Sequence, residues 1–146
     1  MRAPDVKDTD MTERVFFYGT LRTGFTRRPQ LGVDLKLTFL GHGAIEALLF
    51  DLGLYPAAVP GDGRVRGEVF ETDDPMSVLT RLDAIEGYRQ TAPDQSLYIR
   101  THVPVTLEDG RTMTAWVYFY NAPLGQASQI LSGDYLEHLE KDKREK

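Results

Sequence analysis

The apolar positions of the chain change their period several times, and each change marks an element. Val15-Phe16-Phe17-Tyr18 is a β-branched and aromatic run stopped by Gly19, which predicts a buried strand entering a turn. Arg22 to Gly32 mixes Gly, Pro and basic residues and reads as a loop with a helical turn. Ala44 to Phe50 suits a strand. Tyr55 to Val59 suits a short edge strand, because Pro56 cannot donate to a central ladder. Pro60-Gly61-Asp62-Gly63 is a turn, and Val65 to Glu71 then alternates as a half-buried strand does.

The period shifts after Asp74-Pro75. Asp is a good N-cap and Pro tolerates the first helical position. Val78, Leu79, Leu82 and Ile85 share one face of the helix that follows, and Gly87 stands at its C-cap. Tyr98 to Leu107 alternates again, Asp109-Gly110 signals a hairpin, and Thr112 to Tyr120 returns as the partner strand. Ser128 to Lys141 reads as a closing helix. Strands, a helix, more strands and a helix predict an α+β fold: an antiparallel or mixed sheet, curled or barrel-like, with helices alongside.

Composition narrows the function classes. The 146 residues suit one domain, and 41% hydrophobic with 27% charged is ordinary for a globular chain. Met1 to Glu13 is polar and reads as a disordered leader, 14–139 as a single domain and 140–146 as a charged tail. A net charge of −5 argues against a nucleic-acid partner, and no apolar stretch approaches the ~20 residues of a membrane span. With no Cys, disulfides and thiolate chemistry are excluded, which fits a reducing, cytoplasmic setting. His42, His102 and His138 lack metal-ligand spacing, so no metal site is expected. Phosphate-loop, dinucleotide-binding and serine-nucleophile motifs are absent from the sequence.

Glu86 is the carboxylate that stands out. At about 100° per residue, it lies about 50° from the centre of the apolar stripe between Leu79 and Leu82. Asp83 lies further round, toward solvent. Partial burial and the negative end of the helix dipole both disfavour the Glu86 anion. A carboxyl group with raised pKa can take up and return a proton near neutrality. The competing reading is a surface Glu at a frayed helix end. Tyr18-Gly19-Thr20-Leu21 is a second candidate. Gly lets a ligand approach the backbone, and successive N–H groups can hold an anion. An ordinary strand exit is the alternative.

Together these segments resemble the γ-glutamylcyclotransferase-like (AIG2-like) family. Tyr18-Gly19-Thr20-Leu21 matches its YG(S/T)L motif, and Gly53-Leu54-Tyr55-Pro56-Ala57 resembles its G-x-x-P-A segment. Val65-Arg66-Gly67-Glu68-Val69-Phe70 resembles its V-x-G-E-V-(F/Y) strand, and Leu82-Asp83-Ala84-Ile85-Glu86-Gly87 its LDxxEG segment. Tyr98-Ile99-Arg100, the aromatic run Ala115 to Tyr120 and Gly133-Asp134-Tyr135 follow in order. The resemblance implies a small mixed β-barrel flanked by helices. It implies that Glu86 is the general acid/base, and that Tyr18, Gly19, Thr20, Leu21 and Tyr120 hold a γ-glutamyl substrate cyclised to 5-oxoproline. It further implies that no cofactor is required and that the partner is this small molecule, with the chain a monomer or weak homodimer. A non-catalytic ligand-binding module on the same fold is the alternative.

Overall fold

The computed structural model describes residues 12–25 and 27–144. Five strands close a barrel: β1 (Glu13–Phe17), β2 (Thr38–Ile45), β5 (Val65–Thr72), β6 (Tyr98–Leu107) and β7 (Thr112–Tyr120). Their order is β1-β5-β2-β6-β7, and the barrel shuts where β7 meets β1 in parallel at Val15 and Trp116. The other barrel pairs are antiparallel, so the barrel is mixed as expected. A small second sheet sets β3 (Leu48–Asp51) between β4 (Pro56–Val59) and β8 (Ser128–Gln129). Helices α1 (Arg27–Leu31), α2 (Pro75–Glu86) and α3 (Tyr135–Arg144) lie alongside.

Side-chain parity divides the interior into two cores. Phe16, Val69, Val117 and Phe119 join one cluster with Leu49, Ala58 and Ile130 of the small-sheet region. Val15, Phe17, Phe70 and Tyr118, on the opposite faces of the same strands, join a second cluster with Val78 and Leu82 of α2. Both faces of β1 are therefore covered, and so it is apolar without alternation. Burying Val78 and Leu82 completely is worth about 1.5–3 kcal/mol each, and this fixes α2 on the barrel.

Several expected boundaries move. The apolar run Ala44 to Phe50 is two strands rather than one. β2 ends at Ile45, exposed Glu46 turns out, and Leu48 begins the second sheet. Continuous burial of Ala44, Ile45, Ala47 and Leu49 hides that bend in the sequence. β5 is not half-buried: Gly67, Glu68, Val69 and Phe70 are all covered, because the strand sits between β1 and β2 with packing on both faces. The closing helix starts at Tyr135 instead of Ser128, and Ser128-Gln129 pairs with Asp51 and Phe50. Asp134 accepts from the N–H groups of Leu136 and Glu137 and so caps α3. Asp74 does not cap α2 with its side chain; its carboxylate takes Lys36 Nζ at 2.6 Å. Gly87 does end α2, with φ 70° and its N–H on Asp83 O. Of the leader expected over 1–13, residues 1–11 lie outside the described residues, while Glu13 already pairs with Thr72. Among the described residues, no helix is long and apolar enough to cross a membrane.

Candidate active site

The strand exit after β1 and the last turn of α2 meet over one cavity. Tyr18, Gly19, Thr20 and Leu21 line it together with Glu86. Arg27, Tyr55, Pro56, Tyr98 and Tyr118 line it too. On α2 the buried positions are Val78, Leu82 and Glu86, spaced by four. Glu86 therefore extends the buried stripe itself, closer to its centre than the sequence angle suggests, while Ile85 is half out in solvent.

Glu86 is 8% exposed, and Arg27 Nη2 stands 3.3 Å from its Oε1. Burial raises the Glu86 carboxyl to about 7, and the Arg27 guanidinium opposes that rise. Such a group is divided between acid and base near neutrality, as proton transfer in both directions requires. Arg27 also donates from Nη1 to Thr20 Oγ1 at 2.7 Å. This contact ties the loop to the carboxylate through one guanidinium.

Loop geometry explains Gly19 differently from the sequence reading. Gly19 has no positive φ. A Cβ there would come within 2.7 Å of Pro56 Cγ and 3.0 Å of Pro56 Cδ. Glycine is needed because the chain crosses a proline ring that also lines the cavity. In the turn that follows, Arg22 N–H donates to Gly19 O at 3.0 Å. Among the described residues, the N–H groups of Gly19, Thr20 and Leu21 make none of the turn hydrogen bonds.

The tyrosines form the cavity's frame. Tyr18 OH donates to Tyr118 O at 2.7 Å and accepts from Ala58 N–H at 3.2 Å. Its phenol is thereby committed to joining β1, β7 and β4, while the residue still lines the cavity. Tyr98 OH donates to Pro56 O at 3.2 Å. Burial first, and then the Glu86 carboxylate, push the Tyr98 phenol well above its ordinary value, so it stays protonated. Tyr120 does not reach the cavity wall; it packs edge-on against Tyr98, ring centroids 5.3 Å apart.

Asp83 is not directed to solvent. It takes Arg100 in a bidentate pair at 2.8 and 3.1 Å and accepts from Tyr118 OH at 2.6 Å. That clamp fixes the last turn of α2, and with it Glu86, against β6 and β7. Arg27, Tyr98 and Tyr118 are cavity residues that the sequence reading did not single out. Their segments read as a loop and two strands, and no local pattern marks a residue that becomes a neighbour only on folding.

A second buried cluster supports the loop from behind. Glu68 accepts from Thr23 N–H at 2.9 Å and from Thr23 Oγ1 at 3.0 Å. Arg22 and Arg28 each approach it to 3.7 Å. Arg22 also reaches Asp134 at 3.0 Å, and Arg28 reaches Asp34 at 2.7 Å and Leu21 O at 3.1 Å. The histidines are dispersed: His42 lies on Phe39, His102 on Trp116, and His138 Nε2 on Asp51 at 2.7 Å.

Comparison with known proteins finds relatives in sequence and in fold. Residues 15–137 match the family model described as gamma-glutamyl cyclotransferase, AIG2-like. The chain is 33% identical over 125 residues to the gamma-glutamylcyclotransferase family protein YtfP of Escherichia coli, covering 85% of this chain and 96% of that protein. The solution structure of that protein aligns over 86% of this chain and 97% of its own at a TM-score of 0.60. The crystal structure of an AIG2-like protein from Mus musculus also aligns at 0.60, with 27% identity, over 77% of this chain and 80% of its own. Sequence, fold and relatives together show that the chain belongs to the AIG2-like γ-glutamylcyclotransferase family.

Proposed function

We propose that the protein cyclises a γ-glutamyl compound to 5-oxoproline and releases an amine or amino acid, with Glu86 as general acid/base. The observation that carries this reading is a carboxyl group near pKa 7 at the wall of a cavity that the Tyr18 to Leu21 loop also lines. The Glu86 carboxylate takes a proton from the substrate's α-ammonium. The freed amine attacks the γ-carbonyl carbon, and its C–N bond forms as charge develops on the carbonyl oxygen. N–H groups of Gly19, Thr20 and Leu21 supply donors for that oxygen. Protonated Glu86 then returns its proton to the departing nitrogen as the original C–N bond breaks. The second proton of the ring nitrogen passes by way of the freed Glu86 carboxylate to the released amine. The lactam thus leaves neutral, the amine leaves as its ammonium ion, and no water or cofactor is consumed.

So few catalytic parts suffice because the nucleophile belongs to the substrate. Holding the glutamyl arm folded makes ring closure an oriented intramolecular step, which removes much of the barrier. The framing tyrosines, kept neutral by burial, shape the space without adding charge. The small-molecule partner, with no nucleic acid or membrane, and a cytoplasmic setting belong to the same reading; the acidic, Cys-free composition supports it.

The test is incubation with a panel of γ-glutamyl amino acids and γ-glutamyl amines, with 5-oxoproline measured by mass spectrometry. Release above the spontaneous rate from at least one member is expected. Binding of panel members with no 5-oxoproline from any of them would favour the binding-module alternative.

A further inference from the structure

We propose that Arg27 reads the free α-carboxylate of the substrate while Glu86 receives its α-ammonium, the resting Arg27–Glu86 ion pair being a template for the zwitterion. The ligand's identity rests on the cyclisation reading above. The charge pattern does not. The cavity wall carries one anion and one cation 3.3 Å apart. An α-amino-acid head group carries the same two charges on two groups bonded to one carbon. Laid antiparallel on the protein pair, it exchanges one internal ion pair for two.

Arg27 has the donors for this. A guanidinium offers five N–H groups. In the structure it donates to Thr20 Oγ1 and faces Glu86, and its side chain is 32% exposed. Arg22 and Arg28 are buried against Glu68 and line no part of the cavity. Among the described residues Arg27 is the one cationic side chain in the wall. Its neighbour Arg28 is held by Asp34 and Leu21 O. Successive helical residues point about 100° apart, so the anchored Arg28 leaves Arg27 aimed elsewhere, at the cavity.

This assignment divides the polar groups between two tasks. Arg27 takes the α-carboxylate, which leaves the loop N–H groups for the carbonyl oxygen that gains charge. It also defines a substrate class: γ-glutamyl compounds whose α-carboxyl is free, in preference to those in which it is an amide or ester.

The test uses a pair of probes. One is N,N-dimethyl-γ-glutamyl methylamide, whose tertiary amine keeps a positive charge and cannot form the lactam. The other is the same molecule with an α-carboxamide. Titration calorimetry on wild type should show the carboxylate binding about a hundredfold tighter, the scale of a charge-assisted hydrogen-bonded pair. Arg27→Gln should bring the two within about threefold of each other by weakening the carboxylate probe alone. Arg27→Lys should fall between, since it keeps the charge and loses the fork. An effect routed through Glu86 would strike both probes alike. Wild type without a carboxylate preference, or a folded Arg27→Gln that retains the preference, overturns the proposal. Turnover of the γ-glutamyl panel, measured alongside, is a separate result: carboxylate-dependent binding without 5-oxoproline release from any member sinks the cyclisation reading and leaves Arg27 as the carboxylate reader.

Discussion

Glu68 and Glu86 are both buried glutamates, 3% and 8% exposed, yet their surroundings differ in kind. Glu68 is surrounded by donors: a backbone N–H and a hydroxyl from Thr23, with Arg22 and Arg28 beyond them. Those arginines have second carboxylates of their own in Asp134 and Asp34. Glu86 has one cationic partner in the cavity wall, and burial outweighs that partner in setting its proton affinity. A carboxylate with saturated partners serves as a joint between β5, the loop, α1 and α3. One left short of partners has its proton affinity raised by burial. The two sites are coupled through adjacent residues, because Arg28 belongs to the first and Arg27 to the second.

The largest expected effect separates them by activity. Glu86→Gln keeps the shape of the side chain and removes the proton carrier, so turnover should fall about a hundredfold or more, on the order of 3 kcal/mol in the barrier. Circular dichroism and a melt should show a folded protein. Retained turnover in such a protein would place the chemistry elsewhere.

Glu68→Ala should do the reverse. It strips the shared acceptor from Thr23 and leaves two buried guanidinium groups with one carboxylate each. The loss should be about 3 kcal/mol of stability, read from the urea midpoint. An unchanged midpoint would mean that Asp134 and Asp34 suffice and that Glu68 is no joint.

The pH dependence of stability sharpens the contrast. The Glu86 carboxyl titrates near 4.5 when unfolded and at about 7 when folded, so the folded state binds the extra proton between those values. Stability from this group is fully present below about pH 4.5 and is lost as pH rises through 7, at most ~3 kcal/mol. Glu86→Gln should flatten that slope and melt higher than wild type at pH 8, less whatever unpairing Arg27 costs. A wild-type slope that survives in Glu86→Gln would assign the proton to another group.

The smallest effect concerns the loop both sites hold. Gly19→Ala forces the Pro56 ring to shift, which should cost about 1–2 kcal/mol and raise KM, because Pro56 is part of the cavity wall. Thr20→Ser, which keeps the oxygen that Arg27 donates to, should change KM by less than about threefold. A neutral Gly19→Ala would show that the proline is free to move.

Local pattern made a good part of this legible. The unbroken apolar run of β1, the Asp109-Gly110 hairpin and the Gly87 stop each rest on a few neighbouring residues, and each matches an element end in the structure. Glu86 was legible because helical period alone carries it to the buried side of α2. Asp83 was misplaced by the same reasoning. Its position on the helix flank is polar by period, but Arg100 and Tyr118 come from β6 and β7 to meet it. The two-strand break at Glu46-Ala47 and the pairing of Ser128-Gln129 were hidden because apolar continuity does not say which sheet a residue joins.

What the sequence by itself determined is therefore most of the elements, the mixed α+β order and the two segments that meet at the cavity, since period, turn residues and motif blocks are local properties. Tertiary structure alone decided which charges became neighbours. Arg22, Arg27 and Arg28 are alike as a string of basic residues, yet two are buried against Glu68 and one faces Glu86. The physical reason is that a charge is defined by the dielectric and the partners around it, and these come from strands and helices far apart in the chain.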